Sequence, residues 1–297
     1  MPKRVSEAFV LRTYPLREAD LIVSFFTRDQ GKLRGVARRA RHPKSAFGAG
    51  LERLSQVRLA YYQQETRDLV NLDSCELIRS QFELISDYVA GVALDYIAEV
   101  CEHLLPPEEA NEKFFRLLTA VLDSLYQSNR GAAGADGESE TIGSRAEEGV
   151  RPTLAGRIWR GVTYFSLWAV RLSGWLPTLD ACLACGTVLD DTDRAFFSRA
   201  RTGLICDHCR RAYGGGGSWE LTGESRTVAA AMIRKPVAQI PETGWSGEIA
   251  ADLRRFLVQQ IETHAERRLI TAQMMEEAAQ RDEVAPLPDG TRRAAAF

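Results

Sequence analysis

Two hydrophobic rhythms divide the chain, and the change between them falls near residue 80. Before it, short apolar runs at 5–13, 20–28, 32–39, 56–63 and 68–77 are rich in Val, Leu, Phe and Tyr and are separated by turn-forming or polar residues. That pattern predicts five strands. The fourth alternates openly, with Val57, Leu59 and Tyr61 on one face and Arg58, Ala60 and Tyr62 on the other. Asp29-Gln30-Gly31 supplies a hairpin connection between the second and third strands. Five strands in residues 1–79 suggest a small OB-fold barrel, which holds single strands on its second and third strands and nearby loops.

Beyond residue 80 the period is helical. Ile85, Val89, Val92, Tyr96 and Val100 recur at helical spacing with Ala93, Ile97, Cys101 and Leu104 beside them, which predicts one long helix ended by Pro106-Pro107. A second is expected from Glu108, with Phe114, Leu117, Leu118, Val121, Leu122 and Leu125 as its apolar stripe. Residues 127–151, rich in Gly, Ala, Ser and Glu, hold no aromatic residue and are expected to be a disordered insertion within one domain. Helical pattern resumes at 154–172, and again at 225–233 and 249–261. The reading is an α+β multidomain protein: a barrel over 1–79, a helical domain over 80–280 and a flexible tail over 281–297.

Within the helical domain, residues 180–213 carry the strongest chemical signal. Cys182-x2-Cys185 and Cys206-x2-Cys209 are separated by twenty residues, a spacing that suits one structural zinc ion with a closed four-thiolate shell. Two disulfides, a redox pair or plain packed thiols are the alternatives. The N-terminus has no long apolar signal segment, so a reducing cytosol is expected and disulfides are disfavoured. Residues 195–198 and 203–205 look like two short strands stacked on the cysteine turns, as in a zinc ribbon. His208 is read as a bystander, and Cys75 and Cys101 as core residues.

Net charge is only -2, but it is unevenly spread. Residues 1–79 hold 15 Lys/Arg against 9 Asp/Glu, and the remainder holds 23 against 31. From Gly31 to Lys44 there are six cations, Lys32, Arg34, Arg38, Arg39, Arg41 and Lys44, without a carboxylate. Phosphate is the natural partner of such a stretch, whose plainer reading is a solvated basic loop. The most apolar run, 161–170, is far too short to cross a bilayer. No phosphate loop, dinucleotide fingerprint, HExxH or GxSxG elbow occurs, so a binding protein rather than an enzyme is expected.

The order of parts resembles the bacterial DNA repair protein RecO family. The resemblance rests on Gly31-Lys32-Leu33-Arg34-Gly35 followed by Ala37-Arg38-Arg39-Ala40-Arg41, and on Leu51-Glu52-Arg53-Leu54. To these it adds the CxxC…CxxC insertion after Leu176-Pro177, Leu253-Arg254-Arg255-Phe256-Leu257 and Arg267-Arg268-Leu269. It covers nearly the whole chain, with 127–151 as a departure. It implies a cytoplasmic recombination mediator, nucleoid-associated during repair, that binds single- and double-stranded DNA and anneals complementary strands. It also implies engagement of the C-terminal tail of single-stranded DNA-binding protein and, with RecR, help in loading RecA. The six cations are then the DNA contacts, with Arg12 and Lys3 or Arg4 as weaker candidates. A zinc-ribbon interaction adaptor would leave the cationic stretch without a purpose, and a nuclease would lack an evident metal-binding carboxylate set.

Overall fold

The structure, a computed structural model, describes residues 3–63, 68–133, 153–213 and 216–284. Strands β1 (Lys3–Pro15), β2 (Leu21–Thr27), β3 (Gly31–Ala37), β4 (Gln56–Tyr62) and β5 (Val70–Arg79) close into a barrel in the order β1-β2-β3-β5-β4. Antiparallel pairing of β1 with β4 completes the circle, and the short β3–β5 contact is parallel. Alternation sends Val10, Val23, Phe25, Leu33, Val57, Leu59 and Tyr61 into the barrel interior. Their neighbours Phe9, Leu11 and Phe26 face the other way, into the core of the helical domain. The continuous apolar runs of β1 and β2 are therefore runs buried on both faces.

Gly31 is needed where the two domains meet. Its φ is +74°, and a Cβ there would lie 2.0 Å from the backbone oxygen of Glu109. Beside it the Glu108 N–H donates to the Lys32 carbonyl at 3.0 Å. Since residue 108 is occupied in this junction, the helix expected from Glu108 starts later.

The predicted long helix is two, α1 (Phe82–Ile85) and α2 (Tyr88–Leu104). Asp87 breaks the pattern by capping α2, accepting from the Ala90 N–H, and Ile85 is left exposed. Helix α3 (Glu112–Ala133) starts behind Asn111, whose side chain accepts from the Phe114 N–H. It continues into the segment 127–151, of which residues 134–151 lie outside the described residues. Helix α4 (Leu154–Leu172) has the predicted bounds and buries Trp159, Phe165 and Leu167 at the centre of the domain.

After α4 the chain builds β6 (Ala195–Ser198), β7 (Arg201–Cys206), α5 (Asp207–Ala212) and β8 (Ser218–Leu221). The sheet order is β7-β6-β8, so a third strand joins the two expected ones. One face of this sheet, through Phe197, Leu204 and Leu221, belongs to the helical core, while Phe196 and Ile205 face the cysteines. Helices α6 (Gly223–Arg234), α7 (Ala251–Ala265) and α8 (Ile270–Val284) close the domain. Of the expected tail, residues 285–297 lie outside the described residues. Among those described, no helix is long and apolar enough to cross a membrane.

Candidate nucleic-acid interface and metal centre

The six cations of residues 31–44 fall into two groups. On β3, alternation turns Leu33, Gly35 and Ala37 inward and Lys32 and Arg34 outward. Outward here means towards the end of α2. Glu102, whose side chain is only 9% exposed, pairs with Arg34 at 3.0 Å and accepts from the Ser24 hydroxyl at 2.6 Å. Lys32 donates its Nζ to the Glu102 carbonyl. Burial, ahead of its charged neighbours, pulls the Lys32 pKa below the usual lysine range. These two cations fasten the barrel to the helical domain.

The aromatic packing beside them has the same effect. Phe26 lies 5.6 Å from Phe115 and 6.2 Å from Phe114, and Phe9 lies 4.9 Å from Phe115. The outer face of β2, which the OB-fold reading offered to nucleic acid together with β3, is thus covered by α3 at Phe26, as is that of β1 at Phe9. Of the cationic stretch, the part that remains open is on the rim, after β3.

Arg38, Arg39, Arg41 and Lys44 lie on that rim, in the loop after β3, and all are exposed. Their loop is held by its backbone. The Arg39 N–H donates to the Asp20 carboxylate at 2.8 Å and the Arg41 N–H to the Ala19 carbonyl at 3.1 Å. Buried Phe47 and Leu51 anchor the far end of the loop in the barrel core. Arg39 has φ of 55°, unusual for a residue with a side chain. Among the described residues the Arg41 guanidinium reaches only the Glu18 carbonyl, at 3.4 Å. Among the described residues none of the four cations makes an ion pair, so backbone contacts order the loop and leave its charge to solvent.

The weaker candidates are more occupied: Lys3 pairs with Asp73 at 2.7 Å, Arg4 donates to Gln30, and Arg12 lies 5.2 Å from the Tyr14 ring. Arg17, in the turn between β1 and β2 to which the rim loop is fastened, is a further exposed cation. Sequence reading passed over it because that adjacency comes from hydrogen bonds between distant segments.

At the other end of the molecule the four cysteine sulfurs lie within 4.8 Å of one another. The Sγ atoms of Cys185 and Cys206 are 3.9 Å apart, nearly twice a disulfide bond and close to the roughly 3.8 Å edge of a tetrahedron of thiolates around zinc. The Cys206 N–H donates to the Cys182 sulfur at 3.3 Å and the Cys209 N–H to the Cys206 sulfur at 3.4 Å. Gly186, with φ of +73°, closes the first turn.

The thiols are uneven. The Thr187 hydroxyl and backbone N–H hold Cys185 down to about 6. Cys209 is pushed up to about 12, first by its hydrogen bond to Cys185 and then by burial. A divalent cation is what allows all four to ionise together. The donor set is compatible with zinc. His208 is exposed and outside the cluster. Cys101 is fully buried, and Cys75 packs on the barrel core.

Arg226 ties this module to the helices. Nearly buried, it donates to the carbonyls of Leu189 at 3.0 Å and Asp193 at 2.8 Å, and also to that of Asp190. Five N–H donors in one planar fork let a guanidinium hold several carbonyls at once.

Comparison with known proteins agrees with this architecture. The family model for Recombination protein O N terminal matches residues 1–81, and that for Recombination protein O C terminal matches 85–136 and 155–271. A DNA repair protein RecO of Koribacter versatilis is 42% identical over 271 residues, covering 91% of this chain and 97% of the relative. One from Anaeromyxobacter is 27% identical, covering 94% and 95%. One from Bifidobacterium animalis subsp. lactis is 34% identical, covering 68% and 73%.

Proposed function

Since the chain belongs to the RecO family of DNA repair and recombination proteins, we propose that it is a mediator that binds single- and double-stranded DNA and anneals complementary strands. The observation that carries this reading is the rim loop with four exposed cations that make no ion pair among the described residues. A flexible polyanion can meet that loop through phosphate alone, which gives sequence-tolerant, salt-dependent binding. Arg38, Arg39, Arg41 and Lys44 carry the contact, and Arg17 adds to it. Lys32 and Arg34 act indirectly, by holding the barrel on α2. Annealing requires two strands to be neutralised and brought together, and it requires no bond-making group.

The finer partners follow from the family resemblance. With RecR, the protein helps load RecA on DNA coated with single-stranded DNA-binding protein, in the cytoplasm and at the nucleoid. An acidic peptide tail would seek a cation beside an apolar hollow. A cavity of about 200 Å³ between α4, α7 and α8 sets Arg254 beside Trp159, Val162 and Met275, with Glu248 and Glu276 on the same lining. Arg254 donates to the Ile249 carbonyl at 2.7 Å and to Thr163 at 3.2 Å, with no carboxylate among these partners.

Cys182, Cys185, Cys206 and Cys209 hold one structural zinc ion. With zinc bound, the four thiolates would fill its shell and tie the two cysteine turns together, so the chemistry it would supply is structural. Its role is to brace the module on which β6, β7 and β8 are built.

The test is annealing of complementary fluorescent strands, bare and then coated with single-stranded DNA-binding protein, in buffer free of metal and nucleotide. Faster duplex formation at unchanged strand length is expected. Shortened products, or DNA binding without acceleration, would overturn the reading.

A further inference from the structure

The four cysteines are chemically alike in sequence but not in the fold. Cys182 and Cys209 are 2% and 6% exposed, whereas Cys185 is exposed and Cys206 lies between. The two accessible sulfurs are also neighbours across the two turns, at 3.9 Å. A diffusing oxidant therefore meets Cys185 first, and the next most accessible thiol, Cys206, comes from the opposite turn, not from the same CxxC pair.

We propose that Cys185 is a site of oxidation by hydroperoxides, and that it resolves with Cys206 into a disulfide that releases the metal. This inference rests on the zinc assignment above. In the first step the Cys185 thiolate attacks a peroxide oxygen, the O–O bond breaks, and the departing oxygen takes a proton to leave as water or alcohol. In the second, the Cys206 thiolate attacks the oxidised Cys185 sulfur, the S–O bond breaks, and that oxygen leaves as water. Two thiolates lose one electron each, the peroxide gains two, and two protons come from solvent. A sulfur-sulfur bond of about 2.05 Å then replaces two ligands, and the two remaining thiolates do not hold a tetrahedral ion.

The consequences stay local because the rest of the module has other supports. Arg226 still holds the carbonyls of Leu189, Asp190 and Asp193. Phe197, Leu204 and Leu221 remain in the helical core. The turns lose their common centre while the sheet stays docked, so metal release and refilling after reduction need no global unfolding.

The experiment uses the full-length, zinc-loaded protein and hydrogen peroxide. Zinc content before oxidant tests the zinc assignment alone, and its change on oxidation tests the switch. Release of one ion per chain is expected, with a Cys185–Cys206 disulfide found by peptide mapping and Cys182 and Cys209 still open to alkylation after unfolding. Retention of zinc under excess peroxide would overturn the proposal, as would disulfides confined to Cys182–Cys185 and Cys206–Cys209. Cys185→His and Cys209→His both offer a three-cysteine, one-histidine shell. Peroxide should release zinc from Cys185→His at least about tenfold more slowly than from Cys209→His. Equal rates would contradict the special place of Cys185.

Discussion

The loop after β3 and the four-cysteine module are both rich in arginine, and what surrounds those arginines separates them. In the module Arg194 pairs with Glu220, Arg210 and Arg211 with Asp207, and Arg199 lies 4.0 Å from Glu262. Arg201 has no carboxylate partner among the described residues and covers the Tyr213 ring at 4.3 Å. In the rim loop Arg38, Arg39, Arg41 and Lys44 have no ion pair among the described residues. The same side chain serves internal order in one place and offers charge in the other. Counting cations along the sequence does not distinguish the two uses.

The comparison breaks most sharply on charge removal. Replacing Arg38, Arg39 and Arg41 by alanine should lower single-stranded DNA affinity at low salt by about tenfold to a hundredfold. Replacing Arg194, Arg210 and Arg211 should change it by less than about threefold, because Glu220 and Asp207 already offset two of those three charges. Fluorescence anisotropy on both variants checks this, and comparable losses would place DNA on the module as well.

Metal removal sharpens it next. Cys206→Ser should release zinc and raise amide exchange in residues 181–213, since binding and local order are coupled. DNA affinity should stay within about threefold of wild type, as measured by the same anisotropy. A larger loss in protein whose barrel is still folded would make the module a direct DNA contact.

A smaller effect is expected at the junction. Glu102→Gln keeps the shape and the backbone carbonyl that Lys32 meets but removes the carboxylate that pairs with Arg34, which should cost about 1–3 kcal/mol in denaturant unfolding. Because Arg34 is then freed, DNA affinity should hold or rise slightly.

The smallest effect is one of pH. Glu99 is pushed up by burial, but the Thr271 hydroxyl and the N–H groups of Thr271 and Ile270 at the start of α8 outweigh that and leave its pKa lowered. A lowered folded pKa means the stabilisation is complete above the ordinary value of 4.5 and is lost as pH falls through the lower one. Chemical unfolding should therefore show wild type more stable than Glu99→Gln by about 1 kcal/mol or less at pH 7, shrinking below pH ~4.

Much of the fold was legible because burial wrote it locally. The alternation of Val57, Leu59 and Tyr61, the bounds of α4 and the paired cysteines all follow from neighbours in sequence. The failures were long-range or very short. Strand β8, four residues after a glycine run, carries too little pattern to be read alone. Asp87 is a capping residue hidden inside an apolar helical rhythm. Lys32 and Arg34 looked like Arg38 and Arg39 because Glu102, which distinguishes them, stands about seventy residues further on. For the same reason the covered face of β1 and β2 could not be told from an open one.

The central claim is that the rim loop, and not strand β3, meets the phosphates. The direct measurement is the salt dependence of fluorescent single-stranded DNA binding for wild type, for the variant lacking Arg38, Arg39 and Arg41, and for one lacking Lys32 and Arg34. The loop variant should lose about 2 from the slope of log affinity against log salt, at about 0.7 per contact, while the strand variant keeps the wild-type slope. An unchanged slope in the loop variant, or a loss confined to the strand variant, would contradict the account.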